Sequence, residues 1–415
     1  MKRKVILIAL IVLLGLLLTG ASLTLARLQH NNVEANASLN PSIFPAMNWE
    51  RVTDNGFGYT ETNIGAVTAL DVFSGYLYAG TTAATTGTVI YRSSDGTSWV
   101  PVNEPGFGQP IPTSDPVCNA YWYYMWDTAV FSDELFVPTG IMCQDPTWFY
   151  YGGQVWRTED GLSWTAVVTD AFGYTNTQAV NLLKEFNGML YAGTADTAEG
   201  LHIWRSASGD AGDWEDVTPG NLADPGQYYS SDFEVYNNML FMTTNVITVT
   251  GISQVWYTAD GITWEGGPMD MFTCEPNCLA GNLQIFSDTL YMGVWNFLTG
   301  GELWHTTNGI TWTLAISTGD SNQYAIDTVG VFNGYLYVDI EGSSPGMGTL
   351  WRSSNGTDFE LASLPGLDRT IGSTAFPNGA AIFQDHLYIG KYNWEIGGSI
   401  WRNAPLNFWL PLAFK

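Results

Sequence analysis

Positive charge is scarce in this chain. Its 415 residues carry 14 Lys and Arg against 40 Asp and Glu, a formal net charge of −26. Such a balance repels nucleic acid and anionic membrane surfaces, so neither is an expected partner. Histidine is scarcer still. His30, His202, His305 and His386 are scattered with no metal-ligand spacing, and neither a metal nor another cofactor is expected. No Gly-rich phosphate loop opens a helix, no Gly-x-Ser-x-Gly elbow occurs, and helical periodicity is missing after residue 26.

The four cysteines fall as two local pairs, Cys118 with Cys143 and Cys274 with Cys278. The N-terminus sets their context. A basic start, "MKRK", precedes the apolar run 5–18 and a small-residue stretch, so residues 1–26 read as a signal peptide or an uncleaved N-terminal anchor. Either way the chain is exported, extracellular or on the cell surface, and touches a membrane only through that segment if it is kept. In such a compartment a disulfide within each local pair is the expectation, with a four-cysteine zinc site as the alternative.

What the chain has in abundance is repetition. "VIYRSSDGTSW" (89–99) recurs as "VWRTEDGLSW" (155–164), "VWYTADGITW" (255–264), "LWHTTNGITW" (303–312) and "LWRSSNGTDF" (350–359), with a looser copy at 203–214. A second phrase precedes each one, and the aromatic that anchors it stands at Phe73, Phe131, Phe186, Tyr236, Phe286, Phe332 and Phe383. Seven copies about 50 residues apart, each with two hairpin-like phrases, predict a repeat array of four short antiparallel strands per unit. The fold class is all-β, a seven-bladed β-propeller over 47–403. Residues 27–46 read as a linker and 404–415 as a short apolar tail, either a sorting or anchoring tail or a strand under the last blade.

The seventh repeat ends at "SIWRNAPL" (399–406) without its outer strand, whereas "NWERVTDNGFG" (48–58) matches "SWVPVNEPGFG" (98–108), the outer strand of the first blade and the loop after it. Residues 48–52 are therefore expected to complete the last blade and close the ring.

In the recurring turn, Asp or Asn can bond backbone amides and Gly can supply a positive φ. With its Ser/Thr, Asp, Gly and aromatic in this order, the chain resembles the Asp-box (BNR-repeat) propellers, the group that includes sialidases. The spacing from Asp95 to Trp99 is one residue shorter than that family's motif. The resemblance implies that Asp95, Asp160, Asp260, Asn308 and Asn355 are structural and lie away from the ligand face. It also sets a test of activity. That family grips a carboxylate with three arginines, but Arg92, Arg157, Arg205, Arg352 and Arg402 share one repeated strand position, and only Arg51 and Arg369 remain within the ring. The family's Arg-Ile-Pro phrase is absent as well, so sialidase chemistry is not expected.

Strand order puts the Asp turns on one rim and the longer connections on the other. Those connections are rich in aromatics: Tyr121, Trp122, Tyr124, Trp126, Trp148 and Tyr150, extended by Trp295 and Trp394. They read either as a stacking platform for a glycan or extracellular protein, or as filling between enlarged loops and the ring. The expectation is a monomeric, non-catalytic binding or scaffold module. The alternative is a glycan-active enzyme with Asp127, Asp232 and Asp327 as acid/base candidates at the channel mouth, the alternative to that being plain channel-lining carboxylates.

Overall fold

The computed structural model describes residues 39–40, 47–58, 64–83, 87–109, 121–144, 148–173, 178–196, 200–220, 222, 229–245, 253–268, 278–342, 348–364, 367, 379–393 and 396–404. They form an all-β fold of the propeller kind, built from four-stranded antiparallel groups. The fifth group shows the plan. Cys278–Phe286, Thr289–Asn296, Glu302–Thr306 and Thr313–Ser317 pair in sequence order. Groups at 64–101, 121–168, 178–216, 229–268 and 325–361 repeat it. In the second group the first strand is split into Tyr121–Tyr124 and Ala129–Phe131.

The seventh group takes three strands from the C-terminal end, Ala380–Phe383, His386–Lys391 and Ser399–Ala404. Its fourth is Asn48–Arg51, antiparallel to the last, with Asn48 opposite Ala404 and Arg51 opposite Trp401. Trp49 adds a bond from its indole N–H to the Ala362 carbonyl at 3.0 Å. One stretch departs from the expected linker: Leu39–Asn40 pairs in parallel with Phe359 and Glu360, adding a short fifth strand to the sixth group.

The first hairpin of each group turns on two residues, Ser74-Gly75 in the first group and Asn187-Gly188 in the third, and both residues of each pair have φ between 48° and 80°. That is the primed turn whose twist matches that of the strands, which explains the Gly, Asn, Asp and Ser found there.

The hydrophobic core is divided among the joints between successive groups. Tyr236, Phe241 and Val255 pack with Leu283, Leu290 and Trp312 between groups four and five. Phe383, Tyr388 and Ile400 of the seventh group pack in the same way with Leu70, Leu77 and Tyr91 of the first. Among the described residues, three joints carry an added ring. After the outer strand, Phe57, Phe107 and Phe172 adopt positive φ and stack on Tyr91, Trp156 and Trp204 of the next group, at 4.0, 4.3 and 4.7 Å.

Candidate functional site

The recurring Asp turn is a closed hydrogen-bond unit. Asp95 Oδ1 accepts the Thr97 and Ser98 backbone N–H groups, both at 2.7 Å, and the Ser93 hydroxyl at 3.0 Å. Asp160, Asp260, Asn308 and Asn355 repeat this, each taking two backbone N–H groups and the hydroxyl of the Ser or Thr two residues before it. These backbone donors favour the ionised form, holding Asp160 down at about 2 and Asp95 and Asp260 below the usual carboxylate range. In the irregular third copy, Asp213 takes the part. Its Oδ2 accepts the Ser206 hydroxyl and the Ala207 and Ser208 N–H groups. Sequence reading left that residue out because the insertion moves it beyond the glycine.

The arginines of the repeated position are engaged beside these turns. Arg157 meets Asp210, Arg205 meets Glu215 and Arg352 meets Glu360, each at 2.7 Å. Arg402 bonds Glu50, and Arg92 lies 4.4 Å over the Tyr76 ring.

On the other side, the expected aromatic loops are in part strands. Tyr121–Tyr124 pairs with Glu134–Gln144, Tyr121 opposite Cys143 and Trp122 opposite Met142. Trp148–Thr158 pairs with the same strand, Trp148 opposite Gln144 and Tyr150 opposite Met142. Aromatic and β-branched residues suit a paired ribbon, which also satisfies the backbone. Tyr124 is a correction to the expected platform. It is fully buried, donates to Asn181 Oδ1 at 3.1 Å and stacks on the half-buried Trp126 at 4.2 Å, so it is packing rather than open surface. Trp295 is half-buried; its indole N–H lies within hydrogen-bond distance of both Asp327 oxygens, at 2.9 and 3.0 Å. Phe297 stacks on Tyr324 at 5.1 Å beside it. Trp394, Cys118 and Cys274 lie outside the described residues. Cys278 is buried at the start of its strand.

The first strands line a cavity of about 150 Å³ that brings Asp127 and Asp232 together with Lys184, Glu234, Asn282 and Gln284. Each Asp reaches into the next group. Asp127 Oδ2 accepts the Leu183 N–H at 2.8 Å and Asp232 Oδ2 the Leu283 N–H at 2.7 Å, each just past a break in the strand register. Lys184 joins Glu234 at 3.1 Å. Burial is the leading effect on both aspartates. It raises Asp127 to about 7 and Asp232 to about 8 against the pull of the backbone donors and Lys184. Asp327 is raised to about 6 by burial, against its bond to Trp295. Asp327 does not line the cavity, although its neighbour Thr328 does.

Lys184 and Glu234 were missed by alignment at the position four residues before the anchoring aromatic. The same alignment two residues closer passes through Asp71, Lys184, Glu234 and Gln284 and would have found them.

No family model matches the chain, and no curated protein matches it. Among solved structures, it is similar to a prolyl endopeptidase at 11% identity and a TM-score of 0.51, covering 84% of this chain and 51% of that one. The NanB sialidase of Streptococcus pneumoniae aligns at 11% identity and a TM-score of 0.48, over 86% of this chain and 71% of that one. A Trypanosoma rangeli sialidase aligns at 12% and 0.47, over 86% and 57%. The chain thus spans about half the length of the endopeptidase it matches, and the likeness is one of fold.

Proposed function

We propose that the chain closes into a seven-bladed propeller of the Asp-box kind and acts as an exported, non-catalytic module that recognises a glycan or extracellular protein. Closure is supported by the core shared between groups seven and one and by the strand Asn48–Arg51. The carrying observation for function is the separation of the two rims. On one, the Asp turns and arginines are spent on each other and on the backbone. On the other, strand order gathers the Tyr121–Tyr124 and Trp148–Thr158 ribbon, Trp126, and the Trp295, Phe297 and Tyr324 rings. Aromatic faces stack on sugars and anchor protein ligands. An arginine triad of the sialidase type is disfavoured by the partners those arginines already hold.

A glycan array probed with the purified chain tests this. Binding should be retained by Asp160→Ala and lost in a Trp126→Ala/Phe297→Ala variant that melts like the parent. Equal loss in both variants, or turnover of a bound glycan, would replace this reading with a misfolding effect or with an enzyme.

A further inference from the structure

We infer that Asn333, at the tip of the first hairpin of the sixth group, is a site of spontaneous deamidation and backbone isomerisation. The chemistry needs an Asn followed by a residue whose backbone nitrogen can reach the Asn side-chain carbonyl, and glycine, with no Cβ, hinders that approach least. The chain has six Asn-Gly pairs, and five of them lie wholly among the described residues. In four of the five, both partners of the reaction are held. Gly56 N–H donates to the Gly398 carbonyl at 2.7 Å, while Arg51 donates to Asn55 Oδ1 at 2.8 Å. The Gly309 and Gly356 N–H groups donate to the Thr306 and Ser353 hydroxyls at 2.9 Å, while Asn308 and Asn355 carry the turn bonds described above. Gly188 N–H donates to Glu185 Oε1 at 2.8 Å, and Asn187 Nδ2 to the Ala259 carbonyl at 3.4 Å.

The fifth pair is held at neither end. Asn333 and Gly334 form the same primed turn as Asn187 and Gly188, with φ of 49° and 77° against 51° and 73°. Both are exposed, and a Cβ at Gly334 would meet nothing within 4 Å. Among the described residues no acceptor meets Gly334 N–H, and no partner meets the Asn333 side-chain amide. The difference has a local cause. The residue before the anchoring aromatic is Glu185 in the third group but Val331 in the sixth, opposite Leu190 and Leu336 at matching register positions. A valine side chain has no acceptor to offer the turn.

The reaction needs only water. Gly334 N, its proton given to a solvent base, attacks Asn333 Cγ. An N–C bond forms, the Cγ–Nδ2 bond breaks, and ammonia leaves with a proton from water. Water then opens the five-membered imide at one carbonyl or the other, leaving aspartate or isoaspartate at 333 with no change of oxidation state. Either product adds a negative charge at the hairpin tip. Isoaspartate also routes the backbone through its side chain, so the two-residue turn between Ala325–Phe332 and Tyr335–Glu341 loses its fit.

Peptide mapping after prolonged incubation of the folded protein at pH 8.5 tests the inference, reading the mass gain of an amide-to-acid change and the isoaspartate content. Among the five pairs Asn333 should react first. Asn187, which must first break two hydrogen bonds, should react roughly tenfold or more slowly. Urea-unfolded protein should bring the five rates together, because the ranking comes from the fold. Val331→Glu gives the sixth group the acceptor that the third has and should protect Asn333, whereas Glu185→Val should speed the reaction at Asn187. Equal rates at Asn333 and Asn187 in the folded parent, faster loss at Asn55, Asn308 or Asn355, a ranking that persists in urea, or no protection of Asn333 in a Val331→Glu variant that melts like the parent would each overturn it.

Discussion

Gly96 of the first group lies against the ring of Tyr388 from the seventh, where any side-chain carbon would overlap the phenol. The relation recurs along the chain: Gly161 meets Tyr78, Gly261 meets Tyr191, and Gly356 meets Tyr291, while Phe136 and Phe241 receive Gly209 and Gly309. The turn glycine therefore serves twice, supplying positive φ and admitting the ring of the preceding group. Gly188 separates the two effects, having φ of 73° with nothing near its missing Cβ. Gly188→Ala should cost about 1 kcal/mol from backbone strain alone. Gly161→Ala should cost about 3 kcal/mol, since overpacking adds to the same strain. Urea denaturation of both variants checks this, and equal losses would show that the ring simply moves aside.

The joint also shows what was legible in the sequence. The Asp, the Gly and the aromatic recur at fixed spacing, so the turn and the strand order could be read directly, as could the pairing of 48–52 with the last strand. The tyrosine or phenylalanine that meets each of these glycines comes from a different repeat, and no local spacing announces that contact. The same limit applied at the cavity lined by the first strands. Asp127 and Asp232 stood out as charges in a strand, but their bonds to Leu183 and Leu283 depend on register breaks in the neighbouring group. Tyr124 was misread for a related reason: aromatic density alone does not say whether a ring faces solvent or, as here, fills the space beside Ala179 and Ala195.

Removing residues 47–53 should leave Ser399–Ala404 with an unpaired edge and take Met47 and Trp49 from their places beside Tyr337 and Ala362. The expected result is a lower and broader thermal transition with concentration-dependent aggregation. A deletion variant that melts like the parent would mean that the strand pairing contributes nothing to closure.

Stability should depend on pH in opposite senses at the two sites. Asp232, raised to about 8, holds its proton in the folded chain but loses it near 4 when unfolded, so its contribution is full below about 4 and is lost as pH rises towards 8. Asp160, lowered to about 2, contributes above about 4 and loses that contribution as pH falls through 2. Asp232→Asn keeps an oxygen for the Leu283 N–H and removes the buried charge. It should raise stability by about 1–3 kcal/mol at pH 9 and by much less at pH 5. Asp160→Asn should show little difference from the parent at pH 2 and its largest loss near neutrality. Denaturation curves across this range decide, and a gain for Asp232→Asn that is independent of pH would assign the effect to packing.

The cysteine pairs give a chemical check on the long connections. Peptide mapping of the unreduced protein should recover Cys118 linked to Cys143 and Cys274 linked to Cys278. Links between the pairs, or one equivalent of bound zinc, would replace two local staples with a single shared site.

Phe107 offers a test in which two familiar preferences are set against each other. It holds φ of 56°, a conformation that costs a side-chain-bearing residue roughly 1–2 kcal/mol, and in that posture its ring lies 4.3 Å from Trp156 and 5.6 Å from Trp164. The stack must outweigh the strain. Phe107→Ala keeps the strain and loses the ring, for an expected loss of about 3 kcal/mol. Phe107→Gly loses the ring as well but releases the strain, so it should be the more stable of the two by about 1 kcal/mol, although glycine normally gives up more chain entropy than alanine on folding. Denaturant midpoints for the two variants settle the order. If the glycine variant is the weaker, the positive φ at Phe107 is not strained in this turn, and the ring needs no compensating energy to stay there.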